Sequence, residues 1–156
     1  GLMRQESRFV VQAKSDVGAR GLMQIMPATA HWLARKLGMK DYRRAMVNNM
    51  ETNLSLGTYY MKTVLGWFDN SPVLASAAYN AGPSRARQWR GDVPLEGEIY
   101  AETIPFDETR DYVKKVMSNT VYYAQLFGQP PRSLKQRLGI IAAKDAINQQ
   151  PIPDEK

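Results

Sequence analysis

Apolar residues recur at three- and four-residue steps through two long stretches of this chain, and that period constrains its architecture more than any other feature. In the first stretch Met50, Leu54, Gly57, Met61, Val64, Leu65 and Phe68 fall on one face of a helix. In the second, which opens at Asp107, the residues Tyr112, Val113, Val116, Met117, Thr120, Val121, Ala124 and Phe127 repeat helically, and Gly128 closes the segment. No alternating apolar–polar pattern exceeds a few residues, so the expected fold class is mainly α.

Proline, glycine and serine divide the rest. Pro27 fits the first position of a helix reaching about Leu37, with Gly38 as its stop. Asn70-Ser71-Pro72 reads as another start, with Ser71 as cap; that helix ends near Ala81, where Gly82-Pro83 stops it. Gly1 to Phe9 reads as the end of a helix, and Val10 to Arg20 as a loop turning at Lys14 to Gly18. Arg90 to Pro105 has no clear period and is expected to be loop with a short helix. Beyond Gly128, Pro130-Pro131, Pro151 and Pro153 mark a C-terminal extension. The expected organisation is therefore one domain over residues 1–128 and an extension over 129–156, docked on it or trailing. The opening at Gly1 suggests a fragment of a longer protein.

Composition narrows the chemistry. A chain of 156 residues suits one compact domain and can bury a core without a metal or disulfide staple. It has no cysteine, which removes thiol nucleophiles and thiolate metal sites. Its single histidine, His31, lies on a presumed helix without an evident catalytic partner, and no ligand cluster suggests a metal. No phosphate-cradling glycine motif occurs. No apolar run is long enough to span a bilayer. The formal net charge of +6 favours an anionic partner such as nucleic acid, acidic lipid or a wall polymer. Carboxylates remain the main candidates for acid/base work.

Three segments stand out: Arg4-Gln5-Glu6-Ser7-Arg8-Phe9, Gly18-Ala19-Arg20-Gly21-Leu22-Met23-Gln24-Ile25-Met26-Pro27, and Ala77-Ala78-Tyr79-Asn80-Ala81-Gly82-Pro83. Singly, each has an ordinary reading as a solvated helix end, a turn or a helix C-terminus. Their order is more specific. Glu6-Ser7, then Gly21 to Ile25 followed closely by Pro27, then Ala78 to Gly82 resemble the catalytic domain of soluble lytic transglycosylases, in the goose-lysozyme-like superfamily. Ile104-Pro105-Phe106-Asp107-Glu108-Thr109-Arg110-Asp111-Tyr112-Val113 resembles a fourth stretch of that family. The resemblance covers about residues 1–127.

The resemblance implies a lysozyme-like domain with its cleft between the Glu6 helix and the Gln24 and Tyr79 segments. It implies glycan strands of peptidoglycan as substrate, and neither cofactor nor metal. Glu6 matches the sole catalytic carboxyl. Most glycosidases use two carboxyls; here the acetamido group of N-acetylmuramic acid would supply the second function. Glu6 would act as acid, then as base, and leave a 1,6-anhydro end. A general acid must hold its proton near neutral pH, which partial burial promotes; Met23, Met26 and Tyr79 are candidate walls. By the same resemblance Ser15 lies near that carboxyl, and Gln24 and Asn80 bind sugar N-acetyl or hydroxyl groups. Tyr79 belongs to the cleft, and Glu108 to the groove as a binding residue, although an acid in the first turn of a helix is also favoured by the dipole alone. Tyr112 is groove or core. Gly21 and Gly82 serve backbone geometry.

The family association also implies the periplasm of a Gram-negative bacterium and a preceding helical region, through which outer-membrane association would run. Two rivals stay open. A hydrolysing lysozyme would use the same carboxyl to activate water. A non-enzymatic basic module would bind nucleic acid or wall polymer, but the chain lacks a basic–aromatic recognition motif, so no nucleic-acid partner is expected.

Overall fold

The computed structural model describes residues 1–144; Pro151 and Pro153 of the expected extension lie outside them. The chain is mainly helical. Its backbone divides into two compact units, one formed by Met3–Thr63 and the other by Val64 onward together with Gly1–Leu2.

In the first unit α1 (Leu2–Ser7) leads through a looped segment to α2 (Pro27–Lys36), a 3₁₀ turn (Arg44–Asn48) and α3 (Met50–Trp67), which passes into the second unit at Val64. Pro27 opens α2, where its missing N–H costs nothing. Gly38, at φ +69°, ends it: Met39 N–H reaches back to Ala34 O at 2.9 Å. The side chain of Asn49 caps α3, accepting from Thr52 N–H at 3.0 Å. The core holds Leu22, Met23, Ile25, Leu33, Val47, Leu56 and Tyr60. Met50, expected on the apolar face of α3, is 47% exposed, because it starts the helix and has no turn beneath it.

The second unit contains α4 (Pro72–Ala81), α5 (Pro83–Gln88), β1 (Leu95–Glu96), α6 (Gly97–Thr103), α7 (Asp107–Leu126), α8 (Leu134–Leu138) and β2 (Ile140–Ile141). Ser71 caps α4 as expected, accepting from Leu74 N–H at 3.3 Å. Every residue from Val73 to Ala78 is buried, so α4 is enclosed on all sides over these turns and forms the centre of the unit, packed on α5 and α7; the buried Ser76 hydroxyl donates to Pro72 O at 2.7 Å. Gly82-Pro83 ends α4 but does more than stop it. Gly82 turns at φ +92° and Pro83 opens α5 at once. Between Arg90 and Pro105, α6 is the short helix expected there, and β1 is a strand that was not expected.

The segment after Gly128 is tied in by backbone pairing. Strands β1 and β2 run antiparallel, with Leu95 opposite Ile141, and Gly97 N–H donates to Gly139 O at 2.7 Å. A Cβ on Gly97 would lie 2.3 Å from Leu138 O, so only glycine allows this approach. Arg90 secures the same region: it is 7% exposed, bonds Asp69 Oδ2 at 3.0 Å, and donates twice to Ala142 O at 2.8 and 3.2 Å.

Candidate active site

Glu6 lies in the last turn of α1, half-buried, beside a Ser7 that is 8% exposed. The Ser7 hydroxyl donates to Met3 O at 3.3 Å, one turn back. Directly after this pair the chain enters the left-handed region twice, with Arg8 at φ +52° and Phe9 at φ +66°. Such conformations cost non-glycine residues of order 1–3 kcal/mol each and persist only where surrounding structure enforces them. They reverse the chain immediately behind Glu6, and Val10 N–H closes the turn on Ser7 O at 3.0 Å.

Ser15 organises the following turn. Its hydroxyl accepts from Ala19 N–H at 2.9 Å, and its backbone N–H donates to Ala19 O at 3.1 Å. The hydroxyl proton is left to serve another acceptor.

The segment Gly21-Leu22-Met23-Gln24 is the loop of a tight hairpin. Arg20 and Ile25 exchange both backbone hydrogen bonds across its neck, at 3.0 and 3.1 Å. Gly21 is at φ +74° and Gln24 at φ +46°. The Gln24 amide donates to Gly21 O at 2.8 Å and to Ala13 O at 3.2 Å. Both of its N–H groups are thus committed to backbone, and its carbonyl oxygen alone is left for a ligand, as an acceptor. Met23 is 5% exposed and belongs to the core: a Cβ on Gly57 would lie 2.5 Å from its sulfur, so it is not a cleft wall. Met26 is 40% exposed and free to line a surface.

One residue that sequence reasoning missed holds this hairpin. Asn53, on α3 and 1% exposed, accepts from Met23 N–H at 2.9 Å and donates to Arg20 O and Val47 O, each at 2.9 Å. The signal was present. Asn53 stands three residues after Met50 and four before Gly57, a polar residue on an apolar stripe, and such residues are buried only when fully bonded.

In the second unit Tyr79 and Asn80 close α4, both half-buried. Asn80 Oδ1 accepts from the buried Thr109 hydroxyl on α7 at 2.7 Å, which fixes the amide and leaves its NH₂ to donate. Glu108 lies one residue before Thr109, exposed, in the first turn of α7; no ion pair holds it among the described residues. Its neighbour Asp107 pairs with Arg110. Tyr112 is 6% exposed and packs as core. Trp89 and Phe106 meet edge to face with centroids 5.2 Å apart, and Arg85 stands 5.3 Å over the Phe106 ring.

Glu6, Ser15, Gln24 and Met26 thus belong to the first unit, and Tyr79, Asn80, Glu108 and Tyr112 to the second. Among the described residues no cluster of histidine, aspartate or glutamate could hold a metal ion.

The model of the transglycosylase SLT domain matches residues 1–99, and that of the soluble lytic transglycosylase helical domain matches residues 103–132. The chain belongs to the transglycosylase SLT domain family. It is 44% identical over 131 residues to the soluble lytic murein transglycosylase of Salmonella typhimurium, covering 82% of this chain and 20% of that protein. Among solved structures it is similar to the lytic transglycosylase Slt of Pseudomonas aeruginosa, described there as an inactive glutamate-to-glutamine mutant, with a TM-score of 0.80 and 45% identity over 85% of this chain and 22% of that one. It is also similar to the 70 kDa soluble lytic transglycosylase of Escherichia coli, with a TM-score of 0.77 and 38% identity over 88% of this chain and 22% of that one. The chain spans about a fifth of the length of these relatives.

Proposed function

We propose that this chain is the catalytic part of a peptidoglycan lytic transglycosylase, and that Glu6 is its acid and then its base. The observation that carries the reading is the half-buried Glu6 in the last turn of α1, behind which two strained residues reverse the chain, in a member of the SLT family. The inactive glutamate-to-glutamine form of the Pseudomonas aeruginosa relative supports a glutamate as the catalytic group. Relatives in Gram-negative bacteria support a periplasmic location, and no helix among the described residues is long and apolar enough to cross a membrane.

Glu6 donates its proton to the glycosidic oxygen between N-acetylmuramic acid and N-acetylglucosamine, and the bond to the anomeric carbon breaks. The acetamido oxygen of the same muramic acid attacks that carbon and carries the positive charge. The Glu6 carboxylate then takes the C6 hydroxyl proton as that oxygen attacks the anomeric carbon and releases the acetamido group. A 1,6-anhydro ring forms, and no water is consumed. The single carboxyl fits this cycle because it is regenerated in acid form. The free carbonyl of Gln24 suits a sugar hydroxyl or acetamido N–H, and the free NH₂ of Asn80 suits a sugar oxygen.

Mass spectrometry of digested sacculi tests the reading. The expected product ends in 1,6-anhydro-N-acetylmuramic acid and resists borohydride reduction. Reducing ends one water heavier would assign the chain to hydrolytic lysozymes instead.

A further inference from the structure

The first unit holds a concave site that shares no residue with the candidates above. His31, Ala34 and Arg35 of α2, Gly38, Met39 and Lys40 of the turn after it, and Tyr42 enclose about 310 Å³. The left-handed Gly38 folds the chain back after α2, and the Tyr42 ring comes to lie 6.3 Å from that of His31, tilted by 56°.

Three properties of this pocket call for a ligand. The first is charge: Arg35 and Lys40 line the pocket, and Lys36, Arg43 and Arg44 stand with them in a ten-residue stretch that carries one carboxylate, Asp41. Neither Arg35 nor Lys40 forms an ion pair among the described residues. The second is the Tyr42 phenol oxygen, which is buried and has no hydrogen-bond partner among the described residues; native structures rarely leave such a group unsatisfied. The third is the mixed wall: buried Ala34 and half-buried Met39 give it an apolar side. The charge–dipole preference of a helix C-terminus accounts for Arg35 and Lys36. It accounts neither for the concavity nor for the orphaned phenol.

We propose that this pocket binds a carboxylate-bearing peptide, with Arg35 and Lys40 facing the carboxylate, Tyr42 donating to it, and Ala34 and Met39 against its aliphatic part. A bare phosphate or a nucleic-acid backbone would be served by an open basic stripe and would leave the apolar wall unused. On the proposed function, to which this inference adds, the peptide is the stem that murein carries on its muramic acid. The pocket would then hold substrate by a part remote from the bond that breaks.

Titration calorimetry of the 156-residue chain with the free tripeptide of L-alanine, D-glutamate and diaminopimelate tests this. The same peptide with its carboxylates amidated, and inorganic phosphate, are the comparators. The free acid should bind at least about tenfold more tightly than either, since charged hydrogen bonds are the stronger class. The double variant Arg35→Gln/Lys40→Gln should lose that advantage, Tyr42→Phe should lose about three- to fivefold, and Lys144→Gln in the other unit should lose none. Amide NMR signals of residues 38–42 should shift in the wild-type protein as the acid is added, a readout that depends on no variant. Equal binding of acid and amide, phosphate binding as tight as peptide, or unshifted signals would each overturn the proposal. Sacculus digestion run in parallel separates the two ideas. A wild-type chain that cleaves glycan but does not distinguish acid from amide defeats the pocket alone; one that cleaves nothing defeats the enzymatic reading.

Discussion

Asn53 occupies the space that any side chain on Gly21 would need: a Cβ there would lie 2.3 Å from Asn53 Nδ2 and 2.5 Å from its Cγ. The two residues are 32 positions apart in sequence, yet each dictates the other. Gly21 must be bare so that Asn53 can reach the hairpin backbone, and Asn53 must be an amide because it both accepts from Met23 and donates to Arg20 and Val47. The loop that carries Gln24 is set by this pair.

Gly21→Ala should therefore be among the most damaging small substitutions in the chain. It combines a φ of +74° with a contact inside van der Waals distance. The expected loss is about 3 kcal/mol or more from left-handed strain and overpacking together. Thermal denaturation checks it: at roughly 2–4 °C per kcal/mol the midpoint should fall by about 6–12 °C. A shift under about 2 °C would mean the loop relaxes freely.

Asn53→Leu keeps the approximate size of the side chain and removes its hydrogen bonds. Three buried backbone groups lose their partner, at about 1–3 kcal/mol each where the group stays dry. Asn53→Asp keeps the acceptor for Met23 N–H but sets a buried carboxylate oxygen against the Arg20 and Val47 carbonyls, so at neutral pH it should be at least as damaging. Urea midpoints of both variants should fall well below wild type, and that of Asn53→Asp should recover in part at lower pH, where the carboxyl gains a proton to donate. Turnover at a temperature where each is folded should fall in both variants if the hairpin positions Gln24.

Glu6→Gln should abolish cleavage and leave the melting temperature close to wild type. Loss of an essential acid/base group costs about two to four orders of magnitude in rate. Binding of intact glycan strands, measured by pull-down with sacculi, should persist. A variant that keeps most of the wild-type rate removes Glu6 from the chemistry.

Glu108→Gln separates substrate binding from helix capping. The side chain is exposed in the first turn of α7, so a purely structural role is worth only about 0.3–1 kcal/mol of dipole interaction. A binding role should raise KM for peptidoglycan and reduce the rate far less than Glu6→Gln does. A loss as complete as that of Glu6→Gln would mean that two carboxyls share the catalysis.

Burial pushes the Tyr100 phenol well above its ordinary value of 10.0, with the Arg90 charge opposing the shift more weakly. A group whose folded pKa is raised contributes stability that is present below the unfolded value and is lost as pH rises past it. The Tyr100 contribution should accordingly be intact below about pH 10 and fall above it, by up to about 1.4 kcal/mol per pH unit. Tyr100→Phe should lessen the alkaline decline in urea midpoint between pH 10 and 11.5. An identical decline in both proteins would show that Tyr100 ionises in the folded state.

The sequence by itself determined the longer helices α2, α3, α4 and α7 and where they begin, but not the short α5 and α8. Pro27, Ser71 with Pro72, and Gly38, Gly82 and Gly128 act through φ restriction, side-chain capping and left-handed turns, all local effects that need no tertiary partner. It also put forward Glu6, Gln24 and Asn80 as candidates, through motifs whose residue type and order resemble those of a family. Tertiary structure decided what depends on groups distant in the chain. Met23 and Tyr112 became core, a matter of what packs over them. Gln24 was left as an acceptor because Ala13 and Gly21 carbonyls claim its N–H groups, and Asn80 as a donor because Thr109 claims its oxygen. β1 and β2 are two residues each, too short for any periodic pattern, and exist only because residues 95–97 and 139–141 meet. Asn53 lies between these cases: its place on an apolar stripe was legible, but its partners Arg20, Met23 and Val47 come from loops whose approach to α3 only the folded chain specifies.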